Sequence, residues 1–90
     1  MSKLISFAVP CYNSAEYMKQ SIMSIVNGGE DVEIIIVDDG SKDDTLEIAK
    51  ELEAEYPTII KVVHQENGGH GDAVNTGLKN STGKYFKASM

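Results

Sequence analysis

The sequence has no arginine, no tryptophan and only one cysteine, and these absences exclude several classes of protein. Its eight basic residues are all lysine and stand against 14 acidic residues, which gives a net charge of -6. Because nucleic-acid binding relies on basic side chains that neutralise phosphates, the composition excludes that class. The lone Cys11 can form neither an internal disulfide nor a Cys-x-x-Cys metal site.

Long hydrophobic runs are also absent. No stretch approaches the roughly 20 apolar residues that span a bilayer, and the apolar run before Pro10 is too short for a secretory signal peptide. We therefore expect a cytoplasmic protein, with membrane attachment through a longer parent chain left open. A length of 90 residues, with 41% hydrophobic and 24% charged residues, fits one small globular domain over 1–90.

Four apolar runs alternate with three amphipathic ones. The predicted strands cover 4–9, 32–37, 59–63 and 85–86, and the predicted helices cover 13–26, 43–56 and 73–81. Pro10 is expected to end the first strand, and Asn13 with Glu16 predicts a capping box at the start of the first helix. The second strand shows so little polar alternation that we expect it inside a sheet, covered on both faces.

The alternation of strands and helices implies right-handed crossovers between parallel strands. The predicted fold class is α/β, with three α/β/α layers around a mostly parallel sheet. The two most uniformly apolar strands belong at the centre of the sheet, so we expect the strand order 3-2-1-4. Since no helix follows the short last strand, we expect a sheet truncated after about four strands, as part of a longer domain.

Three segments follow strands and are rich in hydrogen-bonding side chains or glycine: 10–13, 38–41 and 67–71. Ligands of open parallel sheets bind beyond the carboxyl ends of the strands, where these segments meet. Asp38 and Asp39 directly follow the second strand, and neighbouring side chains of a strand point to opposite faces. We therefore expect Asp39 to contact a ligand and Asp38 to support the turn. The simpler alternative is a cap at one carboxylate and solvent around the other.

Other signals leave two interpretations open. The stretch 69–74 nearly fits the dinucleotide motif G-x-G-x-x-G/A, but an ordinary glycine turn explains it equally well. Tyr12 either stacks on a base or packs over the first helix. His64 and His70 have no partners at metal-ligand spacing. We therefore expect His64 to be an ordinary residue at a strand end and His70 to be an exposed loop residue.

Taken in order, three stretches carry a resemblance to one family. They are 5–13, an apolar strand followed by Pro-x-Tyr-Asn; 33–45, which contains Asp-Asp-Gly-Ser; and 67–85, which runs from Asn-Gly-Gly to Thr-Gly-Lys-Tyr. On these motifs the chain resembles the N-terminal, nucleotide-binding half of a family 2 glycosyltransferase of the GT-A fold. The resemblance covers nearly the whole chain and implies a Rossmann-like sheet.

The resemblance also implies a nucleotide-sugar site formed by all three segments. Pro10, Tyr12 and Asn13 would frame the base, and Glu16 would lie at the rim of the base pocket. Asp39, with Asp38 beside it, would contact the uracil or ribose. Gly68, Gly69 and Asn75 would line the diphosphate side of the site. Val74 stands where the family commonly has a basic residue, so one of the family's phosphate contacts is not expected here.

The activity that the resemblance implies is inverting transfer of a sugar from a UDP-sugar or another nucleotide sugar. The acceptor would be a saccharide or a lipid-linked group, as in cell-wall or polysaccharide biosynthesis, and the cofactor Mg²⁺ or Mn²⁺. In the family, the Asp-x-Asp metal ligands and the catalytic base follow the strand matched by Tyr85 and Phe86. This sequence continues with Lys-Ala-Ser-Met. We therefore expect no metal ligand, no catalytic residue and no sugar transfer from the 90 residues alone.

Two other functions stay open at this point. One is a non-catalytic nucleotide-binding or interaction module, which a nucleotide titration would distinguish from a donor-binding one. The other is a receiver-like signalling domain, which holds magnesium with paired acids at a sheet edge. A receiver would need its acid pair after the first strand and an Asp after the third. Those positions hold Pro10-Cys11 and His64-Gln65.

Overall fold

The structure is a computed structural model that describes residues 3–27, 29, 31–66 and 70–88, with His70 described by its backbone alone. Seven elements follow one another: β1 (Ile5–Cys11), α1 (Met18–Val26), β2 (Val32–Asp39), α2 (Thr45–Glu55), β3 (Ile60–Gln65), α3 (His70–Lys79) and β4 (Tyr85–Ala88). No helix within the described ranges is long and apolar enough to cross a membrane.

The four strands form one parallel sheet in the order β3-β2-β1-β4. The structure thus confirms the α/β class and the strand order 3-2-1-4. All eight residues of β2 are buried, which explains why this strand lacks polar alternation. Receiver domains have the strand order 2-1-3-4-5, so this sheet is not a receiver sheet.

Helices cover both faces of the sheet and give the predicted three layers. On one face α1 and α2 pack over the even-numbered side chains of β2, such as Ile34 and Ile36, together with Val9 of β1. On the other face α3 packs through Ala73 against Ile35 and Val37. The period of two along β2 therefore sends successive side chains to different helix layers.

Two sequence-based boundaries at the site are wrong. Pro10 does not end β1, which continues through it to Cys11. Among the described residues β4 pairs with β1 only as far as Ala8, so position 10 has one neighbouring strand, the setting in which a strand tolerates proline. The predicted capping box is also absent, because α1 begins at Met18 without a side-chain cap and Asn13 adopts a left-handed φ of 50° instead.

A buried carboxylate holds the amino ends of the strands together. Glu33 of β2 accepts hydrogen bonds from the Ser6 hydroxyl (2.7 Å), the Thr82 N–H (2.7 Å) and the Thr82 hydroxyl (2.8 Å). It also pairs with Lys61 of β3 at 2.9 Å. Burial alone would raise the pKa of Glu33, but these hydrogen bonds outweigh it and lower the pKa to about 2. Glu33 therefore joins three strands and the turn that leads into β4.

Candidate functional site

The carboxyl ends of β1 and β2 bring two of the predicted segments together. Asn13, after β1, donates its N–H to the Ser41 hydroxyl (2.9 Å) and accepts the Lys42 N–H at its Oδ1 (2.8 Å). Both partners lie in the loop after β2. The left-handed conformation of Asn13 aims its short amide at that loop, a conformation that asparagine tolerates better than most residues. Asn13 therefore connects the two loops rather than capping α1.

A second set of hydrogen bonds fixes the start of α2 against the loop after β1. Thr45 accepts the Ser14 N–H at 2.8 Å and donates its hydroxyl to Asp43. Asp43 also accepts the Ala15 N–H at 3.3 Å and the Thr45 N–H at 3.0 Å. The hydrogen bond from the Thr45 hydroxyl contributes most to a lowered pKa of Asp43. These bonds leave the loops after β1 and β2 joined along their length.

Asp38 is fully buried, with 0% of the residue exposed. Its Oδ1 accepts the Ser41 N–H at 3.3 Å, and its Oδ2 lies 2.7 Å from Nδ1 of His64, the residue opposite it on β3. A carboxylate can only accept, so Nδ1 of His64 donates. The rest of the His64 side chain is half-exposed. Both oxygens of Asp38 thus have partners inside the protein, which suits a residue that supports the turn.

Asp39 has a different environment. It is 5% exposed and follows Val37 on the α3 face of the sheet, opposite the face of Asp38. Its Oδ1 accepts a hydrogen bond from Nε2 of Gln65, its register partner on β3, at 3.0 Å. Of the two adjacent carboxylates, Asp39 is the one that reaches the surface of the sheet edge.

A cavity of about 220 Å³ opens beside these loops, between β1 and α1. It is lined by Val9, Pro10, Cys11, Ser14, Tyr17, Met18 and Ser21. Burial and, to a smaller extent, the negative charge of Asp38 raise the pKa of the Cys11 thiol to about 11. A raised pKa favours the protonated thiol near neutral pH, which is typical of a structural cysteine and not of a nucleophile.

The remaining predicted site residues have no described hydrogen bond with Asp38 or Asp39, or they lie outside the described residues. Tyr12 lies just after β1 and is 46% exposed, so its ring is accessible from solvent. Glu16 is exposed in the turn before α1, and Asn75 is exposed on α3. Gly68 and Gly69 lie outside the described residues, so the third segment of the site is not placed. The ligand roles of all these residues stay predictions.

The structure adds two residues that sequence reasoning missed, His64 and Gln65. The sequence places both at the end of β3 but does not say which residue of β2 each one faces. That depends on the register between β2 and β3, which pairs Asp38 with His64 and Asp39 with Gln65. The sequence did contain one signal: each of the two strands ends in a pair of polar residues, two acids on one and two hydrogen-bonding side chains on the other.

Groups of three or more His, Cys, Asp or Glu side chains that could hold a metal ion are not found among the described residues. The acids near the site point to different faces and already have protein partners, as Asp38 and Asp43 show. These residues do not fit a divalent cation, and we assign no step of chemistry to one here.

A four-stranded parallel sheet with this order, and loops that join at its carboxyl edge, places the chain among α/β proteins built like the N-terminal halves of GT-A glycosyltransferases. The model of the family "Glycosyl transferase family 2" matches residues 6–87. The chain belongs to glycosyl transferase family 2.

Two relatives illustrate the match. An uncharacterised glycosyltransferase of Rickettsia prowazekii is 45% identical over 86 residues, which cover 94% of this chain and 26% of that relative. The minor teichoic acid biosynthesis protein GgaA of Bacillus subtilis is 38% identical over 81 residues, covering 86% of this chain and 18% of that relative. The chain therefore spans about a quarter or less of the length of these relatives.

Two solved structures show the same fold. The mannosyltransferase PcManGT from Pyrobaculum calidifontis, in complex with GDP-Man and Mn²⁺, superposes with a TM-score of 0.76 at 23% identity, over 91% of this chain and 25% of that one. Residues 1–349 of S. aureus TarS, in complex with UDP, give a TM-score of 0.73 at 31% identity, over 96% of this chain and 27% of that one. At its lower identity, the first likeness concerns the fold alone.

Proposed function

We propose that the carboxyl edge of this sheet binds the nucleotide part of a nucleotide-diphosphate sugar, the donor substrate of a family 2 glycosyltransferase. The observation that carries the proposal is the position of Asp39: a nearly buried carboxylate at the end of the central strand, beside two loops held in place by hydrogen bonds. The TarS structure with UDP supports a uridine nucleotide as the first ligand to test.

The groups at this edge suit a nucleoside. A carboxylate accepts hydrogen bonds from a base N–H or from ribose hydroxyls, and such charge-assisted bonds are stronger than neutral ones. The exposed ring of Tyr12 offers a face on which a base can stack. Asn13 holds the loop that carries Tyr12 against the loop that follows Asp39, so both contacts are positioned before the ligand arrives.

The reaction we propose for the longer protein is an inverting displacement. The acceptor oxygen forms a bond to the anomeric carbon while the bond from that carbon to the nucleoside diphosphate breaks, and the acceptor proton passes to a base. We assign no base and no metal ligand to this chain: its part is to bind and orient the donor. In the longer protein a divalent cation, Mg²⁺ or Mn²⁺, would stabilise the leaving diphosphate, and none of the described residues is assigned as its ligand.

The acceptor is part of the proposal as well. The similarity to a minor teichoic acid biosynthesis protein supports a saccharide or lipid-linked acceptor of the kind used to build cell-wall polymers. We propose a cytoplasmic location for donor binding, with the remainder of the longer protein able to reach a membrane-associated acceptor.

Calorimetric or NMR titration of UDP tests the proposal. We expect the 90-residue chain to bind UDP in the millimolar range, and Asp39→Asn to weaken this binding by about ten- to hundredfold, because a charge-assisted hydrogen bond contributes about 1.5–3 kcal/mol. Asp44→Asn is the matched control: it removes the same charge from an exposed position whose side chain makes no capping hydrogen bond. Equal affinities of the folded parent and Asp39→Asn would contradict the role of Asp39.

A further inference from the structure

We propose that Gln65 is a positioning residue for the nucleotide: it holds the Asp39 carboxylate in its binding orientation and keeps it apart from a second carboxylate, Asp72. The inference rests on the proposed function, because it concerns the same site. It starts from the observation that Gln65 occupies the space between two acids that belong to different elements, Asp39 at the end of β2 and Asp72 in the first turn of α3.

Both the nitrogen and the oxygen of the Gln65 side-chain amide have hydrogen-bond partners in the protein. Its Nε2 donates to Oδ1 of Asp39 at 3.0 Å and lies 3.5 Å from Oδ2 of Asp72. Its Oε1 accepts the hydroxyl of Thr76 at 2.5 Å. An amide nitrogen carries two hydrogens and a carboxylate can only accept. One neutral side chain therefore faces both acids with its donors and α3 with its acceptor.

The reverse orientation of the amide is unfavourable for a physical reason. Turning the amide by 180° would place Oε1, an acceptor, against the Asp39 and Asp72 carboxylates, with no hydrogen between the oxygens. The Thr76 hydroxyl, which also lies 3.0 Å from the Asp72 carbonyl, can donate to Oε1 only in the observed orientation. The charges on the two acids thus fix the amide, and the amide in turn fixes Asp39.

Gln65 acts on Asp39 and not on Asp38. His64, the preceding residue of β3, contacts Asp38, and the two pairs lie on opposite faces of the sheet. Among the side chains that the structure describes, the titratable groups near Asp39 include Asp72 from α3 and, across the sheet, the Asp38–His64 pair. No other element contributes a side chain to the Gln65 contacts that the structure describes.

The test is the pH dependence of UDP binding by Gln65→Glu. A third carboxylate between Asp39 and Asp72 cannot donate, and like charges this close raise the pKa of at least one of the acids. We expect the UDP affinity of Gln65→Glu to be about tenfold below that of the parent near pH 8 and to recover to within about twofold near pH 5, where a shared proton restores a donor. Gln20→Glu, the same change at an exposed position of α1, should keep the parent's profile.

Two further variants keep the inference testable if Gln65→Glu does not fold at high pH. Thr76→Val removes the hydroxyl that orients Oε1 and should weaken UDP binding about threefold without changing its pH profile. The double variant Asp39→Asn with Gln65→Glu exchanges the amide and the carboxylate. It should be more thermally stable than Gln65→Glu alone, because the asparagine amide at position 39 can donate a hydrogen bond to the glutamate carboxylate at position 65. It should not regain the parent's UDP affinity, because the ligand requires the carboxylate at position 39.

The possible results separate this inference from the proposed function. A parent chain that binds no UDP at millimolar concentration overturns the proposed function and this inference with it. A parent that binds UDP, together with a folded Gln65→Glu whose affinity follows the parent's pH profile, overturns the inference and leaves the proposed function standing. If Gln65→Glu is unfolded, a Thr76→Val affinity equal to the parent's overturns the inference in the same way.

Discussion

Glu33 and Asp38 are both buried carboxylates of β2, near opposite ends of the strand, and each holds neighbouring elements together. Glu33 gathers the amino ends of the strands, through Ser6, Lys61 and the turn at Thr82. Asp38 supports the loop that follows β2 and contacts His64 at the end of β3. A buried carboxylate is expensive without partners, so these residues should affect stability more than any surface acid does.

For Asp38 we expect a loss of stability. Asp38→Asn replaces one of two acceptor oxygens by a donor, so the variant cannot satisfy both the Ser41 N–H and His64 Nδ1–H as they stand. The cost should be about 1–3 kcal/mol, which lowers Tm by about 4–8 °C for each kcal/mol in a domain of this size. Thermal unfolding followed by circular dichroism measures it, with Asp44→Asn as control. A Tm equal to the parent's would show that Asp38 is not a support.

Because of Glu33, the free energy of unfolding should depend on pH within a defined acidic range. Its pKa falls from 4.5 to about 2 on folding, so the folded state binds the proton less tightly than the unfolded state does. Its contribution is therefore fully present above about pH 4.5, decreases below that and is lost as the pH falls through about 2. At about 1.4 kcal/mol per pKa unit the contribution near neutral pH is on the order of 3 kcal/mol.

Urea unfolding at several pH values tests this expectation. Glu33→Gln should be less stable than the parent by on the order of 3 kcal/mol at pH 7, and this difference should shrink steadily below pH 4.5. Glu51→Gln, on the exposed face of α2, controls for the loss of one negative charge. A difference that stays constant down to the acid range would mean that the ionised form of Glu33 is not what stabilises the fold.

At the scale of the elements, α3 packs tightly against the sheet at Gly77. A Cβ built at this position would overlap Ala8 of β1 and contact Val37 of β2. Gly77→Ala should therefore destabilise the protein by about 1–3 kcal/mol through overpacking, although alanine is the better helix former by about 1 kcal/mol. Gly71→Ala is a matched control on the same helix, with nothing within 4 Å of the added Cβ, and should be neutral or stabilising. Urea unfolding of both variants measures the change in the free energy of unfolding. Equal changes for Gly77→Ala and Gly71→Ala would contradict the close packing at Gly77.

The order of the strands could be predicted from the sequence, but the contacts between the loops that follow them could not. The apolar run 34–37 of β2 predicted a strand inside the sheet, and right-handed crossovers then allowed few strand orders, so 3-2-1-4 could be predicted. The role of Asn13 could not be predicted from the sequence, because its hydrogen-bond partners Ser41 and Lys42 lie 28 and 29 residues away along the chain. Local patterns record the capping preference of asparagine but not a contact between loops. Gln65 escaped prediction for the same reason, since strand register assigns it to Asp39.

At the scale of the whole molecule, a net charge of -6 repels an anionic ligand. The molecule measures 35 × 24 × 18 Å, so at about 10 mM salt, where the Debye length is about 30 Å, almost every charge acts on UDP. At about 150 mM salt the Debye length is about 8 Å, and only charges near the site remain effective.

UDP binding should therefore strengthen with salt over this range, by about two- to fivefold in Kd. A site dominated by lysine contacts would show the opposite trend. Uridine, which is uncharged, serves as the control and should bind equally at both salt concentrations. Titrations in sodium chloride measure both ligands; UDP binding that weakens with salt would mean that local cations, and not the overall acidic field, govern the approach of the ligand.

The measurement that tests donor binding most directly is an NMR titration of the isotope-labelled chain with UDP, because it reports where the ligand binds as well as how tightly. We expect the largest shift changes at the carboxyl edge of the sheet, in 11–13 and 38–42 and in the Gln65 side-chain amide, with the signals of Ser6, Thr82 and Gly83 at the opposite edge unchanged. Changes confined to that opposite edge, or no change at millimolar UDP, would contradict a nucleotide site at the ends of β1 and β2.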